Sequence, residues 1–196
     1  MKTRRFKRLL ILFALILFQV GMSITAEAQQ TIHGSVPMYI KQFGLHPVAR
    51  LDTTKVLTVG IGLSLQSGQA LTSLLRQLYT PGNPNFHHWL TPSEFTAQFA
   101  PSQGDYQQVV NYLEANGFTV TKTFPNRMLI DASGTVGNIE RTFHLRMMVY
   151  NSPSGRGTFY APDSEPTLNV TTPIAHISGL RNDIVAVSHA RFARKK

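Results

Sequence analysis

Residues 56–65 read Val56-Leu57-Thr58-Val59-Gly60-Ile61-Gly62-Leu63-Ser64-Leu65. The odd positions, Leu57, Val59, Ile61, Leu63 and Leu65, are all apolar. The even positions are Val56, Thr58, Gly60, Gly62 and Ser64. Successive side chains of a strand point to opposite faces, so this alternation predicts a strand with one buried face. A sheet with one apolar face needs a layer to cover it, and helices are the ready supply.

Helices follow. Leu71, Leu74, Leu75 and Leu78 stand at i, i+3, i+4 and i+7 after Ser67-Gly68, which is one helical stripe. Pro81 ends it, because the residue before a proline avoids the helical region. Thr91-Pro92-Ser93-Glu94 is a capping box with proline at the first helical position. The short helix it starts carries Phe95 and Phe99 and stops at Ala100-Pro101. Ser102 caps a helix over about 103–116, with Tyr106, Val109, Val110 and Leu113 as its stripe and Gly117 as its stop.

Phe118, Val120, Lys122 and Phe124 alternate toward a Pro125-Asn126 turn, and residues 127–132 return as the second arm of a hairpin. Thr135 caps a helix with Val136, Ile139, Thr142 and Phe143 inward. Residues 145–150 predict the next strand, and 158–161 a short one. Residues 162–170 read as extended, and 173–180 as one helical turn ending near Gly179. The expected fold is α+β: a ferredoxin-like β-α-β-β-α-β antiparallel sheet with helices on one face, plus an extra short helix.

The ends differ from the middle. Lys2, Arg4, Arg5, Lys7 and Arg8 precede an uncharged run from Leu9 to Met22, and Ala26-Glu27-Ala28 follows. That order predicts a signal peptide over residues 1–28, cut after Ala28, and hence a secreted or periplasmic protein. Membrane contact is then transient. An uncharged run of 14 residues is short for a span, which needs about 20. Residues 29–55, with Gly34, Pro37, Gly44 and Pro47 spaced through them, read as an irregular lead-in. Residues 56–181 form the expected domain, and 182–196 a basic tail.

The net charge of +9 invites a nucleic-acid reading. Its distribution argues against one. Residues 29–190 hold 10 cations against 9 anions, so the body lacks a basic patch. An RNA-recognition sheet of this strand order would need aromatics on its central strands, and residues 127–132 have none. The chain has no cysteine, which removes disulfides, thiolate metal sites and a cysteine nucleophile.

Catalytic parts are also missing. His87-His88 is adjacent, whereas a helical metal pair needs i, i+4 spacing, so no metal or other cofactor is expected. Ser133-Gly134-Thr135 lacks the G-x-S-x-G elbow, and Thr135 already has work as a helix cap. The carboxylates Asp105, Glu114, Asp131, Glu140, Asp163 and Glu165 are scattered. No catalytic residue is assigned, and the chain is not expected to be an enzyme.

Several segments together resemble the activation propeptide of the sedolisin family, the kumamolisin-like serine-carboxyl peptidases. The resemblance is densest over residues 78–102, with Tyr79, Pro81, Pro84, Phe86, Trp89, Leu90, Thr91, Pro92, Phe95, Phe99 and Pro101. Gly117-Phe118, Arg127, Gly134-Thr135 and the run from Ile139 to Phe143 continue it. Tyr150, Tyr160-Ala161-Pro162 and Ile177-Ser178-Gly179-Leu180 close it, so that it spans roughly residues 50–181.

The resemblance implies a prodomain that inhibits and assists the folding of a subtilisin-fold peptidase and leaves it at acid pH. The partner is a serine-carboxyl peptidase catalytic domain, joined in cis in the family and met in trans here. The family's S-G-T-S nucleophile loop, its Glu and Asp partners and its calcium ligands have no counterpart in this chain. The pattern residues are expected to be structural or to face the partner. Arg181, Arg191, Arg194, Lys195 and Lys196 mark the segment expected to thread the partner's cleft. Acid release has two physical routes. Carboxylates such as Asp131, Glu140 or Asp163 lose ion pairs on protonation, or histidines gain charge below about pH 6.5. Two other readings stand beside this one: a truncated front fragment of a peptidase precursor, and a secreted, non-catalytic binding module.

Overall fold

The computed structural model describes residues 29–183, apart from 154 and 156. The elements in chain order are β1 (Gln29–Thr31), α1 (Met38–Gln42), β2 (Pro47–Arg50), β3 (Val56–Leu63), α2 (Gly68–Leu78), α3 (Pro92–Phe99) and α4 (Gln103–Ala115). They continue with β4 (Thr119–Thr123), β5 (Leu129–Thr135), α5 (Val136–Phe143), β6 (Met147–Asn151), β7 (Thr158–Pro162), β8 (Thr167–Asn169) and β9 (Ile174–Ser178).

The central sheet runs β4-β5-β3-β9 with every neighbouring pair antiparallel. Leu57, Val59, Ile61 and Leu63 are all buried on one face of β3, as the alternation requires. Tyr106, Val109, Val110 and Leu113 of α4 and Val136, Ile139 and Phe143 of α5 join them in one core. The elements β3, α4, β4, β5, α5 and β9 thus supply the β-α-β-β-α-β order, and the α+β expectation holds. The caps behave as read. Thr91 and Glu94 form both halves of the capping box, and the Ser102 and Thr135 hydroxyls accept from Asp105 N and Asn138 N.

Four local readings need correction. The fourth strand of the central sheet is β9, where the sequence predicts a helical turn. A bulge at Gly62/Leu63 pairs Ile61 with Ile177 but Leu63 with Ile174, so Ala175 is extra. The two inward isoleucines therefore stand three apart, which imitates a helical period. The expected strand over 145–150 is real, as β6, but it sits in a second sheet of order β2-β6-β7. The lead-in over 29–55 is not irregular: it carries β1, α1 and β2. Finally, the α2 stripe is mostly uncovered, with Leu78 buried, Leu71 and Leu74 half-buried and Leu75 46% exposed.

The second sheet has its own small core of Ile40, Tyr150, Phe159 and Ala161. The buried Glu140 carboxylate joins it to α5. One oxygen accepts from Met147 N at 2.9 Å, and both are bonded to the Arg50 guanidinium. The expected signal peptide over 1–28 lies outside the described residues, as do Arg191, Arg194, Lys195 and Lys196 of the tail.

Leu113 is fully enclosed between α4 and the sheet. Leu113→Ala is therefore expected to lower the unfolding free energy by about 2–5 kcal/mol, read from urea denaturation.

Candidate functional site

Among the described residues, nothing covers the opposite face of the central sheet. Thr58, Gly60 and Gly62 of β3 lie there, with Asp131 and Ser133 of β5 paired beside them. His176 and Ser178 of β9 flank them on the other side and are exposed. The two glycines make this face flat. Ser178 Oγ lies 2.7 Å from the place a Cβ on Gly60 would take, and the His176 ring fills the place of one on Gly62. Ser178 Oγ also donates to Gly60 O at 3.3 Å, and the Thr58 and Ser133 hydroxyls are 3.1 Å apart. Lys122 pairs with Asp131 on this face. A bulge between Val120 and Lys122 turns this lysine outward, against the simple alternation of residues 118–124.

The pattern residues divide into two groups. Tyr79 and Trp89 are 66% and 57% exposed and meet edge to face at 5.5 Å. His87 stacks between Phe86 at 3.8 Å and Trp89 at 6.0 Å. Pro81 and Pro84 are exposed beside this cluster, and Leu90 is half-buried. The rest are mainly structural. Thr91 and Pro92 start α3, Phe95 packs on the buried Phe99 at 5.4 Å, and the Arg127 guanidinium donates to Pro101 O and Thr96 O.

Gly117 has φ +83°, and its carbonyl accepts from Asn138 Nδ2 at 2.6 Å. Phe118 lies against Gly134 and Phe143 inside the core. Pro162 and Leu180 are buried, and Tyr160 is half-buried under the Lys55 ammonium, 5.2 Å from its ring centre. Gly179 has φ +88°, and a Cβ there would run into the Thr58 carbonyl. Leu180 thus plugs the core just before the chain leaves it.

Residues 181–183 are held by side chains. Arg181 donates from Nε and Nη2 to the Asp183 carboxylate at 2.6 and 2.5 Å, and the Tyr39 hydroxyl donates to the same carboxylate at 2.7 Å. Burial alone would raise the Asp183 carboxyl, but the hydrogen bonds from Arg181 and Tyr39 outweigh it and hold it below the ordinary carboxylate range. Burial and then the Asp183 bond push the Tyr39 hydroxyl up. Sequence reasoning included Arg181 but missed Tyr39 and Asp183, which lie 144 residues apart with no local signal. Of the three carboxylates considered for acid release, Glu140 is spent inside the fold, and Asp163 caps Arg146 N at 2.9 Å. Asp131 alone lies on the open sheet face.

A profile described as "Pro-kumamolisin, activation domain" matches residues 44–182. The chain belongs to the pro-kumamolisin activation domain family. This activation domain is 35% identical over 144 residues to xanthomonalisin of Xanthomonas sp. (strain T-22), covering 72% of the chain and 17% of that protein. It is 26% identical over 146 residues to sedolisin of Pseudomonas sp. (strain 101), covering 74% of the chain and 25% of that protein. A shorter match, 30% over 96 residues, is to tripeptidyl-peptidase sed4 of Aspergillus fumigatus, covering 49% of the chain and 16% of that protein. The chain therefore spans a quarter or less of these relatives' lengths. What matches is the activation domain, a propeptide region that does not hold the catalytic centre. Among the described residues, no group of three or more His, Cys, Asp or Glu side chains is placed to hold a metal ion.

The Asp183 contact has a definite pH window. Its carboxyl is lowered in the fold relative to an unfolded aspartate near 3.9, so its stabilisation is complete above that value. It is lost only as pH falls through the lower folded value. An NMR titration is expected to find the Asp183 carboxylate charged and still bonded at about pH 5. Tyr39→Phe is expected to move the titration upward, toward the ordinary value.

Proposed function

We propose that this chain is an exported activation domain that inhibits a sedolisin-type serine peptidase and assists its folding, binding it in trans at neutral pH and releasing it in acid. The carrying observation is the open sheet face, flat over Gly60 and Gly62 and bounded by β9, next to residues 179–183. A flat antiparallel face suits contact over a broad area, and the core layer behind it keeps it rigid. Inhibition then comes from covering the substrate cleft. Assistance comes from binding the folded peptidase in preference to its unfolded chain. Export follows from the basic start, the apolar run and Ala26-Glu27-Ala28.

Acid release is assigned to this same face. His176 shares it with Asp131 and Lys122. An imidazole covered by a partner must leave its charge solvated or drive the partner off, so acidification weakens the contact. Losing the Asp131 charge in stronger acid would act in the same direction if that carboxylate pairs with a partner cation.

A second reading makes the chain the front part of a peptidase precursor, with the catalytic domain in cis. The small share of each relative's length that it covers favours this reading. The coding sequence downstream of Lys196 separates the two, since a subtilisin-like reading frame there places the partner in cis. A third reading is a secreted binding module held by charge, which salt would weaken steeply.

The test is inhibition of the purified catalytic domain of sedolisin or xanthomonalisin by this chain. Activity is expected to fall at about pH 7 and to return at about pH 4. Thr58→Arg, which sets a charge on the flat face, is expected to weaken inhibition at least about tenfold with unchanged thermal stability. His176→Gln is expected to keep inhibition at neutral pH and to lessen its loss in acid. Unchanged peptidase activity on mixing at neutral pH rejects the proposal.

A further inference from the structure

The first described residues are tied to the last third of the chain at several places. β1 pairs antiparallel with β8. Gln30 donates to Val170 O at 2.9 Å and Thr172 O at 2.8 Å and accepts from Ile174 N at 2.9 Å. Glu165 accepts from the backbone amides of Gly34 and Ser35 at 3.1 and 2.9 Å. The Tyr39 hydroxyl, on α1, then reaches Asp183. Residues 29–43 and Asp183 both lie outside the span that matches the activation-domain profile. The contact between Tyr39 and Asp183 therefore joins residues on either side of the matched span.

Among the described residues, Asn182 supplies the other hold on residues 181–183. Asn182 lies along the edge of β7, where its amide donates to Tyr160 O at 3.3 Å and its Oδ1 accepts from Tyr160 N at 2.6 Å. Leu180 is anchored in the core, and beyond it the chain rests on Tyr160 and Tyr39. A short segment held by a handful of hydrogen bonds opens locally, without unfolding the rest, when one bond is lost.

We propose that residues 29–43 form a strap that locks residues 181–183 onto the fold, with Tyr39 as the positioning residue for Asp183. The strap couples the two borders of the domain. A cut or a competing contact that displaces α1 frees the exit segment while the central sheet stays folded. This holds whether or not the open sheet face binds a peptidase, and the test needs no partner.

The experiment is limited trypsin digestion of the full chain, following the Arg181–Asn182 bond by mass spectrometry and using the Arg127–Met128 bond as an internal reporter of general loosening. Tyr39→Phe removes one hydroxyl and leaves both cleavage sequences untouched. It is expected to speed the cut after Arg181 about fivefold to tenfold, the worth of one hydrogen bond, with no change after Arg127. Hydrogen exchange at the Tyr160 amide is expected to accelerate by a similar factor in the same variant. An unchanged rate after Arg181, or an equal rise at both bonds, overturns the proposal, as does unchanged exchange at Tyr160.

Discussion

One strand has two unlike faces, and the rest of the structure follows from that. On one face of β3, Leu57, Val59, Ile61 and Leu63 demand burial, and α4 and α5 supply it. On the other, Gly60 and Gly62 leave no side chain to bury. Among the described residues, helices therefore cover the sheet on one side only. The uncovered side is a level surface on which neighbouring side chains lie across the glycines. The same constraint fixes β9, because Ser178 and His176 fill the space that larger residues on β3 would need.

The second sheet and the N-terminal segment extend this frame toward the exit. Glu140 links α5 to β6 and Arg50, which sets the β2-β6-β7 sheet against the main core. β7 then offers its edge to Asn182, and α1, packed on the same sheet through Ile40, brings Tyr39 to Asp183. A buried carboxylate with a backbone donor and a guanidinium partner is a costly group to leave unpaired, so this joint resists rearrangement.

The sequence made the main sheet legible where periodicity was clean. The alternation of residues 56–63, the stripes of α4 and α5 and the Thr91–Glu94 capping box are local signals, and all three are present. Legibility failed where a bulge changed the period. Ile174 and Ile177 look helical because Ala175 is extra, and Lys122 turns outward because Thr121 is extra. It failed again where partners are distant, as with Tyr39 and Asp183, and for α2, whose good stripe finds little to cover it. The family-pattern residues were legible as a set. Their separation into caps, core and exposed aromatics needed the coordinates.

In the proposed function, the glycine-flattened face meets the peptidase. NMR shift mapping of the labelled chain on adding the catalytic domain of xanthomonalisin, at about pH 7, tests it most directly. Changes are expected to concentrate at Thr58, Ser133, His176 and Ser178 and to fade on acidification. Changes confined to the exposed aromatics around Tyr79 and Trp89, or to the outer surfaces of α4 and α5, would contradict it.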